Sequence, residues 1–134
     1  DSSIFPVGHD RYGYPEFSRF PVKVSMEGVG DILEIPLSTV RLIGRNIPIA
    51  GGGYLRLFPL KFIEWGIHSL NHKEFQPAII YFHPWEVDPG QPKLNWSLLS
   101  DFRHNINIDK TLGKLKSHFG SFSFGPVEEV FSLK

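Results

Sequence analysis

An α/β fold is the expectation for this chain, and three observations carry it. A helical stripe runs over residues 57–72, a continuous apolar run, AIIYFH, follows at 78–83, and a second helical pattern occupies 109–119. A helix followed by a strand apolar on both faces is half of a βαβ unit, which points to an α/β layer or barrel with a parallel sheet. The chain has 134 residues and 41% apolar content, enough for one domain spanning 1–134 with one core.

The elements follow in order. Residues 1–23, DSSIFPVGHDRYGYPEFSRFPVK, are rich in Gly, Pro and Tyr without periodicity and predict an ordered loop pinned by aromatic rings. DILEIP at 31–36 predicts a short strand closed by Pro36. The triple glycine Gly51–Gly53 permits unusual backbone angles or a close approach of the backbone to another group. In LFPLKFIEWGIHSLNH, the residues Leu57, Leu60, Ile63, Ile67 and Leu70 share one helical face, with Pro59 in the first turn. AIIYFH is the strongest strand signal, ended by Pro84, which removes a ladder donor. The second helix is expected to be capped by Asp109, to bury Leu112, Leu115 and Phe119, and to stop at Gly120. A last strand is expected near SFSFGPVEEVFSL.

Composition narrows the function. Fourteen basic residues balance fourteen acidic ones, so no net field draws nucleic acid or an anionic membrane, and neither is an expected partner. There is no cysteine, which excludes disulfides. No apolar stretch is long enough to span a bilayer, and no signal peptide is visible. The chain opens at DSSIFP without methionine, so a missing or processed N-terminus is expected. Twelve Phe, four Tyr and three Trp suit a large core, a carbohydrate surface or both.

His83 stands where the apolar run ends, with Trp85 and Glu86 directly after it in a stiff loop, WEVDPGQP. In parallel α/β folds the carboxyl ends of strands build the sites, and an imidazole there serves as acid or base near neutrality. The alternative is an imidazole that merely closes the strand by bonding a nearby carbonyl. His68 and His72 lie four apart on the first helix, a spacing that can bind zinc; with no third ligand evident, a solvated helix end is the competing account.

Three stretches carry a resemblance: LEIPLSTVRLIGRNIPIAGGGYLRLFP, PAIIYFHPWEVDPGQPK and FRHNINIDKTLGKL. Together they resemble the polysaccharide deacetylases found with exopolysaccharide gene clusters and exosortase systems, zinc-dependent carbohydrate esterases of bacteria. The resemblance covers nearly the whole chain. It implies the C-terminal part of a distorted, incomplete (β/α) barrel, with a short terminal helix and strand. It also implies a substrate polysaccharide bearing N-acetylated sugars, and action around exopolysaccharide export, in periplasm or cytoplasm; the chain carries no address of its own.

By this resemblance His83 matches the strand-end general acid that protonates the leaving amine. The paired-aspartate, two-histidine and arginine motifs of that family are absent. The chain is therefore expected to lack its N-terminal catalytic half and to be inactive alone. It is expected to hold no metal or cofactor by itself, although the complete enzyme would use zinc or another divalent metal. The family's tryptophan-bearing acidic motif is not found in its usual form. Glu34, in LEIP, is the candidate carboxylate for orienting His83; the alternative is an exposed strand glutamate. Gly52, Gly53 and Tyr54 are placed at the site rim, or else form a tight turn before a helix. Trp85 either stacks on a sugar face or plugs a barrel end. Arg103, and His104 beside it, either contact substrate or make structural hydrogen bonds.

Two other functions compete. One is a non-catalytic carbohydrate-binding or accessory module using Trp85, Tyr54, Tyr12 and Tyr14 as platforms. The other is a structural fragment whose uncovered strand edge and apolar residues 78–83 promote self-association.

Overall fold

The structure is a computed structural model that describes residues 1–9, 12–92 and 98–132. The chain divides into two units, Asp1–Ala50 with Gly66–Ile80, and Gly51–Trp65 with Tyr81–Lys134. The mixed α/β class holds, but of the expected strands only the one at 31–36 is found among the described residues. Among the described residues the strands form two separate two-stranded antiparallel sheets, with no parallel pair and no closed barrel.

In the first unit, Val22–Met26 (β1) pairs with Gly30–Glu34 (β2), Val22 opposite Glu34 and Met26 opposite Gly30. The strand expected at 31–36 is thus half of a hairpin and ends before Pro36, and the loop expected to run to residue 23 gives way to β1 at Val22. Thr39–Leu42 (β3) pairs with Arg45–Pro48 (β4) across the two-residue turn Ile43–Gly44, whose φ angles are 48° and 74°. Positive φ at both central residues is the sign pattern of a type I′ turn, which matches the twist of a hairpin. Gly44 suits it; Ile43, β-branched and 94% exposed, does not.

The N-terminal segment is an ordered loop, as expected, held along β2 and its exit. The Ile35 N–H donates to the Asp1 carbonyl at 2.7 Å and the Leu37 N–H to the Ile4 carbonyl at 3.0 Å. Arg19 closes the loop with a fork: Nη1 and Nη2 donate to the two Glu74 carboxylate oxygens at 2.8 and 3.1 Å, and Nε donates to Thr39 Oγ1 at 3.0 Å. Phe5, Val7, Ile35, Val40, Ile49 and Ala50 are buried with Ile67 and Leu70. Each large side chain so buried contributes roughly 1.5–3 kcal/mol.

The run at 78–83 is not a strand. The Ile79 N–H donates to Ser38 Oγ at 2.7 Å, a side-chain acceptor rather than a ladder carbonyl. Ala78–Ile80 are half-buried and Tyr81–His83 exposed, so the run is not covered on two faces. A strand needs a neighbour as well as a propensity, and the described residues place none beside it.

The helix expected over 57–72 is a single helix that starts three residues later, and an unexpected short helix precedes it. Gly52–Leu57 (α1) stops at Phe58, and Leu60–Lys73 (α2) begins after Pro59, whose carbonyl accepts the Phe62 N–H at 3.0 Å. Pro59 therefore precedes the helix rather than lying in its first turn. Ile63, Ile67 and Leu70 are buried as expected, whereas Leu57 is exposed and Leu60 half-buried.

In the second unit, Leu98–Asn105 (α3) leads into Ile108–Ser121 (α4), which packs on α1 and on a 3-10 turn at Pro84–Val87. The cap of α4 is Asn107 rather than Asp109, in the left-handed region that Asn tolerates. Gly120 lies inside the helix, which ends a residue later. The buried stripe is Thr111, Leu115 and His118; Leu112 and Phe119 are exposed, so the buried face is rotated from the expected one. Thr111 is tolerated there because its hydroxyl donates to the Asn107 carbonyl at 3.1 Å. The expected terminal strand is instead a short helix, Val127–Val130 (α5): Pro126 sets the entry, its carbonyl accepts the Glu129 and Val130 N–H groups, and two acids favour a first turn.

Candidate functional site

His83 leads into the 3-10 turn with extended backbone, φ −92° and ψ 146°, and Pro84 follows at the first helical position. Its main chain is held twice by one residue. The His83 N–H donates to Glu86 Oε2 at 2.8 Å, and the Glu86 N–H donates to the His83 carbonyl at 2.9 Å. The imidazole lies parallel to the Trp85 indole, centroids 5.5 Å apart and planes within 9°, with the Tyr81 ring edge-on at 5.8 Å. His104, from α3, lies parallel to the same indole at 4.6 Å and 14°.

Beneath these rings is a buried ion pair. Arg56 Nη2 lies 3.2 Å from Glu86 Oε1, and the two side chains are 3% and 4% exposed. Arg56 Nη1 donates to the His104 carbonyl at 2.6 Å, and its guanidinium carbon stands 5.5 Å from the Trp85 ring centroid. Arg56 Nε has no partner. Burial pulls the Arg56 pKa down, and Glu86 opposes that shift. Lys114 Nζ donates to the carbonyls of Leu55, Arg56 and Phe58 at 2.8, 3.1 and 2.9 Å, closing the C-terminal end of α1. Burial, then neighbouring Lys110, lowers the Lys114 pKa.

Two of the three glycines are constrained, and one of them, Gly52, by the same carboxylate. Gly51 has φ 93°, and a Cβ there would meet the Tyr81 ring at 3.1 Å. A Cβ on Gly52 would overlap the Glu86 carboxylate. Gly53 has no such constraint: a Cβ would find Arg56 Nη2 at 3.8 Å, ordinary contact. The expected close approach thus belongs to Gly51 and Gly52, and the group approached by Gly52 is Glu86.

The other expected site residues fall as follows. Tyr54, half-buried on α1, stacks on Phe58 at 6.1 Å. Arg103 is exposed on α3. His104 Nε2 lies 3.1 Å from Gln91 Oε1; burial, then the Arg56 charge, pulls its pKa below the ordinary imidazole value. Trp85 remains 38% exposed while bearing two parallel imidazoles. Glu34 is in the first unit and buried, not an exposed strand glutamate; its Oε1 accepts the Ile4 N–H at 2.8 Å. His68 and His72 are exposed and their rings lie parallel at 5.6 Å. Among the described residues, no three His, Asp or Glu side chains gather as a metal ion would need, and no helix is long and apolar enough to cross a membrane.

Sequence reasoning named Glu86 only as a neighbour of His83 and missed Arg56 and Lys114. A signal for Glu86 existed: an acid three residues after the residue that enters a helical turn is the capping-box spacing. Arg56 sits in YLRLF without a local mark of its burial.

The chain belongs to the family described as a domain of unknown function (DUF3473), whose model matches residues 2–132. No curated protein and no solved structure matches it.

Proposed function

We propose that this chain is the C-terminal part of a metal-dependent polysaccharide N-deacetylase, in which His83 is the general acid. The observation that supports this is convergence. The stretches that carry the resemblance, GGGYLRLFP, FHPWEVDPGQP and FRHNIN, meet in the second unit around one imidazole: Gly52 against Glu86, Glu86 on the His83 main chain, and His104 on Trp85. A family match over 2–132 agrees with an extent close to that of the resemblance, without naming a reaction.

In the proposed reaction water adds to the acetyl carbon of an N-acetylated sugar and the C–N bond breaks. His83, as imidazolium, gives its proton to the departing nitrogen, leaving acetate and a free amino sugar. The described residues do not fit a metal centre, so no step is assigned to a metal on this chain. The metal ligands, the base and the rest of a (β/α) barrel belong, in this proposal, to upstream sequence. In this proposal the sugar meets Trp85 and Arg103, a reading supported by their exposure.

The test is acetate release from an N-acetylglucosamine oligomer by the chain joined to its upstream sequence, alongside a zinc titration of the chain alone. Activity of the longer protein that falls at least 100-fold in His83→Gln, with neither zinc binding nor turnover by the chain alone, is expected. Full activity in His83→Gln would overturn the role of His83; a chain that binds zinc and releases acetate alone would overturn the division of labour.

A further inference from the structure

We infer that Arg56 is the positioning residue of this site: one buried guanidinium sets both imidazoles that lie along Trp85. It reaches His83 through Glu86, whose carboxylate is shared between Arg56 Nη2 and the His83 N–H. It reaches His104 directly, through the main-chain carbonyl at 2.6 Å. It stands beside the indole that both rings face.

The arrangement is over-determined around this one cation. Burying a guanidinium costs several kcal/mol unless it is paired and hydrogen-bonded, and here one Nη pairs with a carboxylate while the other bonds a carbonyl. Its own helix is held around it: Lys114 takes three carbonyls at the end of α1, and Asn107 Nδ2 donates to the Arg56 carbonyl at 3.1 Å. Gly52 leaves room for the carboxylate that no side chain could share. For packing alone, an apolar side chain would fill the space without desolvating a charge. What the charge adds is direction: a planar fork gives two fixed vectors, one toward the turn that carries His83 and one toward the helix that carries His104. The bonds that Arg56 makes toward the two residues run to main chain, directly at His104 and by way of Glu86 at His83, and not to a ligand. The proton-donor role of His83 rests on the proposed function, whereas the placement of its ring does not.

The test uses the chain itself and two-dimensional spectra of its histidine rings. Rings lying parallel to an indole are displaced by its ring current, and Trp85→Leu identifies the displaced signals. In Arg56→Lys, which keeps the charge but loses the fork, the ring protons of His83 and His104 should both move toward flexible-imidazole values, while those of buried His118 stay. Unmoved rings, or movement of His104 alone, would overturn the inference. Should Arg56→Lys lose the His118 signals too, Glu86→Gln decides: it keeps the shape and should release the His83 ring while His104 stays, and an unmoved His83 ring refutes the proposal. Acetate release by the longer protein separates the two ideas. Activity retained in His83→Gln would end the deacetylase reading and leave the ring-current result standing.

Discussion

Gly52 and Glu86 occupy space that only one side chain can fill: the carboxylate lies where a Cβ on residue 52 would be. The glycine is thus a condition for the carboxylate, and the carboxylate for the main chain of His83.

Gly52→Ala should lower stability by about 2 kcal/mol, the scale of overpacking at a site that cannot relax freely. Gly53→Ala is the control, because a Cβ there meets nothing closer than 3.8 Å and Ala is the better helix former. Urea denaturation of the two variants should separate them; equal midpoints would mean that Glu86 moves aside without cost.

Removing one member of the buried pair should cost more than removing both. Glu86→Ala leaves the Arg56 charge without a carboxylate in a site where both side chains are almost fully covered, a loss of about 3–5 kcal/mol. The double variant Arg56→Met with Glu86→Leu should recover much of that loss. A double variant no more stable than Glu86→Ala alone would show that the pair is not electrostatically coupled.

Ile43→Asn should stabilise the β3–β4 hairpin by about 1 kcal/mol. Ile43 holds φ 48° while 94% exposed, so the wild-type side chain brings strain and little burial. Thermal unfolding would show this as a raised midpoint. A lowered midpoint would mean that Ile43 makes contacts that outweigh the strain.

Acid should weaken the fold through His118. This imidazole is almost wholly buried, neither ring nitrogen has a hydrogen-bond partner, and burial pulls its pKa below the ordinary value of 6.5, against an opposing pull from Glu64. Between that lowered value and 6.5 the unfolded chain holds more protons, so stability falls as pH drops through this window and is intact above it. His104 shifts in the same direction. His118→Leu should flatten the pH dependence of the denaturation midpoint below 6.5; an unchanged slope would place the titration elsewhere.

What the sequence determined by itself is what lies within a few residues. Apolar spacing located α2 and the run of α4, DILE located one edge of a hairpin, and the glycines announced a close backbone approach, because periodicity and φ freedom are local properties of the chain. The tertiary structure decided the rest. AIIYFH has every propensity of a buried strand, yet the Ile79 N–H went to a serine hydroxyl, because a ladder needs a neighbouring strand that propensity cannot supply. The buried face of α4 is set by what it packs against, which chose Thr111 and His118 over Leu112 and Phe119. The carboxylate beside His83 proved to be Glu86, three residues on, and its cation came from Arg56, thirty positions earlier in the chain. A charge buried by such a distant partner leaves no local trace, since its cost is offset only where the chain has already folded.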